Sequence, residues 1–317
     1  MCTLIVLHRC VAGRPLVVAA NRDEFLARPA EDFAIRTSAT GPILSPLDLE
    51  AGGTWVGLSQ RGVFAGLTNL RPLPGSAIEN KSPSELKSRG DVVMMALESE
   101  SAADTARKAA ALETGAYNPF QLMVADGRDA FLVVYRDRAE VLELEAGPHI
   151  VGNVEDEAIA ERLGRTFLLD GQDDRGDLTA SESYPGFEGL ESVVDSLGES
   201  AREPRALKLT RIRSRVEKMV TEPSFDLFDG LARICREHVG GEGIDSPFEA
   251  TCVHIPEAKG VHDAPRPDRY GTRSSLLLEL SEDEGSSRLW TTDGPPCARP
   301  FENRSVLLKD LGVRLGG

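Results

Sequence analysis

The sequence predicts an α+β fold of stacked antiparallel sheets covered by helices, in a single domain over residues 1–317. Three observations lead there. The elements run strands, helices, strands, helices, strands, an order of segregated layers rather than of strand–helix alternation. Gly-bearing turns join the early strands into hairpins, which makes neighbouring strands antiparallel. No Gly-rich phosphate loop follows any strand, so a doubly wound nucleotide-binding sheet lacks its signature. No Pro/Gly/Ser linker divides the chain, and no internal repeat or low-complexity tract interrupts it.

Thr3 to His8 and Leu16 to Ala20 are short apolar runs separated by the turn residues Val11-Ala-Gly-Arg-Pro15, a first hairpin. Thr54 to Ser59 and Val63 to Thr68 flank Gln60-Arg-Gly62 and form a second. Between them, the Pro- and Gly-containing stretch Arg28 to Gly53 reads as an exposed loop. Ser82 to Glu98 reads as a helix capped by Ser82 or Ser84, and the Ala-rich stretch Ala102 to Glu113 as another. Strands return at Gln121–Ala125, Phe131–Tyr135 and Glu140–Leu144, the first two joined by Asp126-Gly127-Arg128. Helices follow at Glu155–Leu169, Leu190–Leu197, Leu209–Val220 and Phe225–Val239, with an acidic surface loop at Asp170–Leu178. Gly240-Gly241-Glu242-Gly243 ends the helical section, and Ala250–Ile255, Ser274–Leu280 and Arg288–Thr292 are closing strands.

Composition narrows the function classes. The 317 residues are 41% hydrophobic and 27% charged, ordinary for a soluble globular protein. No apolar run approaches the roughly 18 to 20 residues that cross a bilayer, and Leu4–Leu7 is too short for a signal-peptide core. A cytoplasmic location without stable membrane insertion is therefore expected. Fifty-one acidic against 36 basic residues give a net charge of −15, which repels phosphate backbones and argues against a nucleic-acid partner. Five cysteines without regular spacing speak for reduced thiols rather than a disulfide framework.

The beginning of the chain carries the chemistry. Initiator Met is normally removed before a residue as small as Cys, which would leave Cys2 with a thiol and an α-amine on one residue. The amine's ordinary pKa of about 7.7 to 8.0 lets it act as base near neutral pH, so no His is needed. Taken alone, a Cys at position 2 is more often a partly buried residue with no catalytic role. Asn21-Arg-Asp-Glu24 follows directly on the apolar run Leu16–Ala20, and the first hairpin would return it to the chain's beginning. A carboxylate there would hold the amine, and a guanidinium would favour the thiolate. The plainer reading of the same four residues is a turn or a helix N-terminus.

Met1-Cys2, Ala20-Asn-Arg-Asp-Glu-Phe25, Gly52-Gly-Thr-Trp-Val-Gly57 and Gly66-Leu-Thr-Asn69 occur in the order seen in the Asn-Arg-Asp-Glu family. Ser88-Arg-Gly90, Tyr117-Asn-Pro-Phe120, Gly152-Asn153 and Tyr270-Gly-Thr-Arg-Ser-Ser275 resemble its later blocks, so the match spans nearly the whole chain. The transport and Golgi organisation proteins of animals belong to that family. In its N-terminal Cys and sheet pattern it is similar to the choloylglycine hydrolase and penicillin V acylase group. Those are N-terminal-nucleophile (Ntn) hydrolases with a four-layer αββα sandwich of antiparallel sheets.

The resemblance implies Cys2 as nucleophile of an amidohydrolase acting on a small-molecule amide. Arg22, Asp23, Asn69, Asn153 and Arg273 would be the supporting residues, with the two Asn in an oxyanion hole. The acylases leave two residues between their early Arg and Asp. Arg22 and Asp23 are adjacent, whereas Asn21 and Glu24 have that spacing, so either pair stands as the counterpart. By residue type alone, Asn69 and Asn153 are turn residues and Arg273 a solvent-facing strand end. Trp55 packs in the core or lines a pocket.

Such a hydrolase requires no cofactor. The rival implied by the family is a non-enzymatic carrier of haem or an acyl-lipid ligand on the same scaffold; no Cys-x-x-Cys-His attachment motif is present, so haem would be held reversibly. No metal site is expected. Cys252, His254 and His262 are close in sequence but lack a paired Cys-x-x-Cys or His-Glu-x-x-His pattern, and His8, His149 and His238 are scattered.

Overall fold

A computed structural model of the chain describes residues 2–73, 75–79, 81–155, 157–163, 204–222, 226–238, 247–255, 270–283 and 285–315. The expected helix Leu190–Leu197, the end of the one at Glu155–Leu169, the acidic stretch 170–178, the Gly-rich stretch 240–243 and His262 lie outside those residues.

The described strands form two seven-stranded sheets. In the first, β1 (Cys2–Val11) and β2 (Arg14–Phe25) are central, flanked by β10 (Gly147–Val151) on one side. On the other side lie β12 (Tyr270–Leu280), β13 (Arg288–Asp293) and β14 (Glu302–Asn303). β11 (His254–Ile255) pairs with the early end of β12. The second sheet is a meander of β3 (Ala30–Ser38), β4 (Gly41–Asp48), β5 (Val56–Ser59), β6 (Phe64–Asn69), β7 (Phe120–Ala125), β8 (Ala130–Tyr135) and β9 (Ala139–Leu144). Each of these ladders is antiparallel.

Alternation along the strands builds the layers. On β1 and β2 the even-numbered Leu4, Val6, Leu16, Val18 and Ala20 pack against Leu44, Leu58, Phe64, Met123 and Leu132 of the other sheet. The odd-numbered Ile5, Leu7, Val17 and Ala19 meet Leu209, Ile212 and Val216 of α4 (Pro204–Thr221), with Phe228 and Leu231 of α5 (Leu227–Cys235). On the second sheet's outer face, Leu67, Leu122 and Val133 meet Val93 and Leu97 of α1 (Arg89–Leu97) and Ala109 of α2 (Ala102–Ala110). The result is the αββα sandwich that the resemblance implies. A fully buried Leu in such a layer contributes roughly 1.5–3 kcal/mol. Shorter helices are α3 (Glu157–Arg162) and α6 (Val306–Leu311), the latter closing an edge of the inter-sheet layer with Leu308 and Leu311.

Four expectations need correction, the first being the strand at Ala250–Ile255, which is reduced to His254–Ile255 after a 3-10 turn at Pro247–Glu249. Most of the supposed loop Arg28–Gly53 is the hairpin β3–β4, with Ile43 and Leu44 buried. Its prolines mislead because β4 pairs with β5 only through Ile43 and Leu44, so Pro42 and Pro46 fall where no β5 bond is required. The segment Ser82–Glu98 is not one helix. A 3-10 turn at Pro83–Glu85 precedes an extended Lys87, whose N–H donates to Ala116 O, and Ser88 rather than Ser82 or Ser84 caps α1 by accepting from Gly90 N. β2 runs on through Phe25, so Asn21–Glu24 is strand and neither turn nor helix start.

Candidate functional site

Strand register places the family's polar residues around Cys2. Cys2 opens β1 and pairs with Arg22 on β2, while Asn21 pairs with Thr3. Beyond Arg22, β2 outruns β1 and is flanked by β12, where Arg273 sits in a bulge between Thr272 and Ser274. A cleft of about 430 Å³ opens there. Cys2, Arg22, Asp23, Glu24, Asn69 and Trp55 line it, together with Arg28, Asp48, Arg89, Asn118 and Tyr270.

Each predicted residue has a definite place. Cys2 is buried, and its backbone nitrogen donates to Asn153 Oδ1 at 2.7 Å. Asn153 Nδ2 in turn donates to the main-chain oxygen of Asn69 at 2.8 Å, so one amide side chain ties the ends of β1 and β6 together. Arg22 is buried against Asp48 Oδ2 at 3.0 Å, with Glu24 at 3.7 Å. Arg28 shares the same Asp48 oxygen at 2.6 Å. Those cations, together with the backbone N–H of Ala51, hold the Asp48 carboxyl below its ordinary range despite partial burial, which acts the other way.

Asp23 is buried on the opposite side of the strand. Its Oδ1 accepts from Thr272 Oγ1 at 2.6 Å, and its main-chain oxygen accepts from the Tyr270 hydroxyl at 2.9 Å. Asn21 faces the same way and is fully engaged. Its Nδ2 donates to Cys235 O and Thr251 O, and its Oδ1 accepts from Ser275 Oγ. Arg273 lies outside the cleft lining. It is ion-paired with Asp293 in an adjoining crevice bordered by Arg22 and Trp55. Trp55 is half-buried, packed on the inter-sheet core, and lines both depressions.

Electrostatics at Cys2 is dominated by burial, which pushes the thiol up; Asp23 and Glu24 add to this, and Arg22 opposes it. The guanidinium acts in the expected direction but is outweighed, so the resting sulfur is a thiol. Burial likewise raises Asp23, with Lys208 acting against it, and lowers Lys208.

The sequence does not single out Lys208, and it offers Arg89 only within the block Ser88-Arg-Gly90. Lys208 is buried on α4 beside the stripe Arg205, Leu209, Ile212 and Val216, and a cation next to a buried stripe was the available signal. Arg89 is half-buried at the first position of α1, and no carboxylate forms an ion pair with it among the described residues. Gly53 and Gly90 let the loop before β5 press on the start of that helix, since a Cβ on either would lie 3.1 Å from the other's Cα.

The histidines are also less scattered than expected. His238, Cys252, His254 and Cys297 converge at one surface position behind Asp23's strand.

Comparison with known proteins agrees with the motif order. The family model described as Transport and Golgi organisation 2 matches residues 1–289. The human Transport and Golgi organization protein 2 homolog is 36% identical over 93% of this chain and 88% of its own length. The Bos taurus homolog is 27% identical over 84% of this chain and 83% of its own. Among solved structures, a conjugated bile acid hydrolase of Clostridium perfringens is similar with a TM-score of 0.48 and 11% identity, over 96% of both chains. A Caenorhabditis elegans N-acylethanolamine-hydrolyzing acid amidase ortholog gives a TM-score of 0.35 and 12% identity, over 52% of this chain and 80% of its own.

Proposed function

The chain belongs to the Transport and Golgi organisation 2 family, and we propose that it is an Ntn-type hydrolase of small-molecule amides with Cys2 as nucleophile once Met1 is removed. One observation carries this reading: Cys2 heads a central strand in a cleft, with its nitrogen held by Asn153 Oδ1.

With Met1 gone, that nitrogen is an α-amine. Giving one N–H to Asn153 fixes its orientation and leaves a lone pair for the thiol proton. As sulfur bonds to the substrate's carbonyl carbon, the amine takes that proton and the π pair moves to oxygen. The Asn69 amide supplies the donor for that oxyanion, a contribution of about 100-fold or more in such sites. The ammonium then gives its proton to the leaving nitrogen as the carbon–nitrogen bond breaks. Water attacks the thioester with the amine again as base, and the thiol is restored. Asp23, braced by Thr272, steadies the ammonium stage.

Arg89, at a helix N-terminus without an ion-pair partner among the described residues, suits an anionic group on the substrate. The charged lining of Arg22, Arg28, Asp48 and Glu24 fits a polar amide better than haem or a long acyl chain, the carrier alternative on the same scaffold.

The test is intact mass with peptide mapping, before and after a thiol-reactive acylating probe. Loss of Met1 and stoichiometric labelling at Cys2, abolished by Cys2→Ser, is the expected result. Retained Met1, or labelling no faster than at exposed Cys297, overturns the self-activated mechanism and leaves the carrier reading, which a spectral change on haem addition would support.

A further inference from the structure

Behind the wall that carries Asp23, four side chains from separate segments meet. His238 lies just past α5, Cys252 and His254 enter β11, and Cys297 sits in the turn after β13. One ligand atom from each lies within 4.8 Å of all the others. His254 Nε2 is 3.5 Å from Cys252 Sγ and 3.2 Å from Cys297 Sγ. Metal–sulfur bonds of about 2.3 Å and metal–nitrogen bonds of about 2.0 Å put neighbouring ligand atoms of a tetrahedron roughly 3.3 to 3.8 Å apart. Both measured distances are within about 0.2 Å of that range, and the remaining pairs, all within 4.8 Å, need to close by at most about 1.5 Å.

We propose that His238, Cys252, His254 and Cys297 form a tetrahedral site for a divalent cation of the zinc class. Two thiolates balance the ion's charge, and two neutral imidazoles complete a borderline-soft donor set. The thiol protons leave to solvent as the two metal–sulfur bonds form. Four protein ligands close the coordination sphere, which makes the site structural rather than catalytic.

The surrounding backbone preorganises it. Cys252 N donates to Glu237 O at 3.0 Å, next to His238. Arg236 Nε donates to Pro296 O at 3.2 Å, next to Cys297. Gly271 permits the close approach of the segment carrying Cys252 and His254, because a Cβ there would lie 2.5 Å from Val253 O.

The ion would fasten what holds the catalytic wall. Val253, between two of the ligands, donates its N–H to Thr272 Oγ1 at 2.8 Å, and that hydroxyl donates to Asp23. The neighbouring Thr251 O accepts from Asn21. Cys252, His254, Cys297 and His238 therefore act as positioning residues for the shelf beneath Asn21 and Asp23.

The experiment uses the full chain, purified reduced, stripped by chelator and titrated with Co²⁺ alone, then Zn²⁺. About one Co²⁺ per chain should bind with a thiolate-to-cobalt charge-transfer band and tetrahedral d–d bands, and Zn²⁺ should displace it. Cys297→Ser removes one thiolate from an exposed position, so the charge-transfer intensity should roughly halve and affinity fall by at least about 10-fold. His238→Gln should weaken binding while keeping the full charge-transfer band. Cys10→Ser, a half-buried thiol elsewhere on β1, and Cys2→Ala should both leave the spectrum unchanged. A spectrum without charge transfer, one that survives Cys297→Ser intact, or a Cys252–Cys297 disulfide in the freshly purified protein would each overturn the site.

Discussion

Residues 21–24 are consecutive polar side chains on one strand, yet its two faces use them differently. Arg22 and Glu24 share the inter-sheet face with Cys2 and form, with Asp48 and Arg28, a charged network at the cleft. Asn21 and Asp23 point to the helix layer, where Ser275, Thr272 and the carbonyls of Cys235 and Thr251 hold them in a closed hydrogen-bonded shelf. Arg22 and Glu24 set charge in the open cleft, whereas Asn21 and Asp23 fix the strand, Asp23 also adding to the field that raises the thiol. A period of two separates the roles of adjacent residues.

The largest effect should come from the shelf. Asn21→Ala takes the donor from two buried carbonyls, while the Ser275 hydroxyl keeps Ala20 O, so it should cost about 3 kcal/mol in denaturant melts. At a temperature where the variant stays folded, Cys2 labelling should be close to wild type. A labelling rate that falls with stability held would erase the distinction between the faces.

Arg22→Met probes the other face. Asp48 keeps Arg28 at 2.6 Å, so a smaller loss of about 2 kcal/mol is expected rather than that of a wholly unpaired buried charge. Removing the cation that opposes burial should raise the Cys2 thiol further and slow its labelling. Glu24→Gln should do the reverse. Among the described residues its Oε1 accepts from the neighbouring Phe25 N and its Oε2 makes only a long contact to Arg22, so stability should change by less than about 0.5 kcal/mol. Loss of its charge should ease thiol ionisation and speed labelling in rate-against-pH measurements.

Leu4, Val6, Leu16 and Val18 alternate with Ile5, Leu7 and Val17, and from such patterns the sheets, their antiparallel pairing and the covering helices were legible. Asn21–Glu24 were legible as a group near Cys2, but not as two faces, because the strand's continuation past Ala20 depends on pairing with β12. The hairpin β3–β4 was hidden by Pro42 and Pro46, whose tolerance depends on where the β5 ladder stops. Arg273 reads as a site residue by motif, while its bulge turns it toward Asp293. The Cys–His cluster had no local spacing to reveal it, since α5, β11 and the turn after β13 meet only in the folded chain.

The smallest predicted effect compares the two ends of the inter-sheet face of β1. Glu24 and Arg22 keep charge beside Cys2, whereas His8, on the same face at the far end, is buried and held neutral. Burial pulls its imidazole below the ordinary value of about 6.5, and His149 and Arg9 add to that. The unfolded chain therefore binds more protons than the folded one as pH falls through that ordinary value. Stability should decline with falling pH there and level off only below the folded-state value. His8→Gln cannot take up that proton, so its melting temperature should change less between pH 7 and pH 5 than wild type, even if it starts lower. Parallel curves would mean that His8 is free to charge in the folded protein, and that the far end of this face admits charge as the cleft end does.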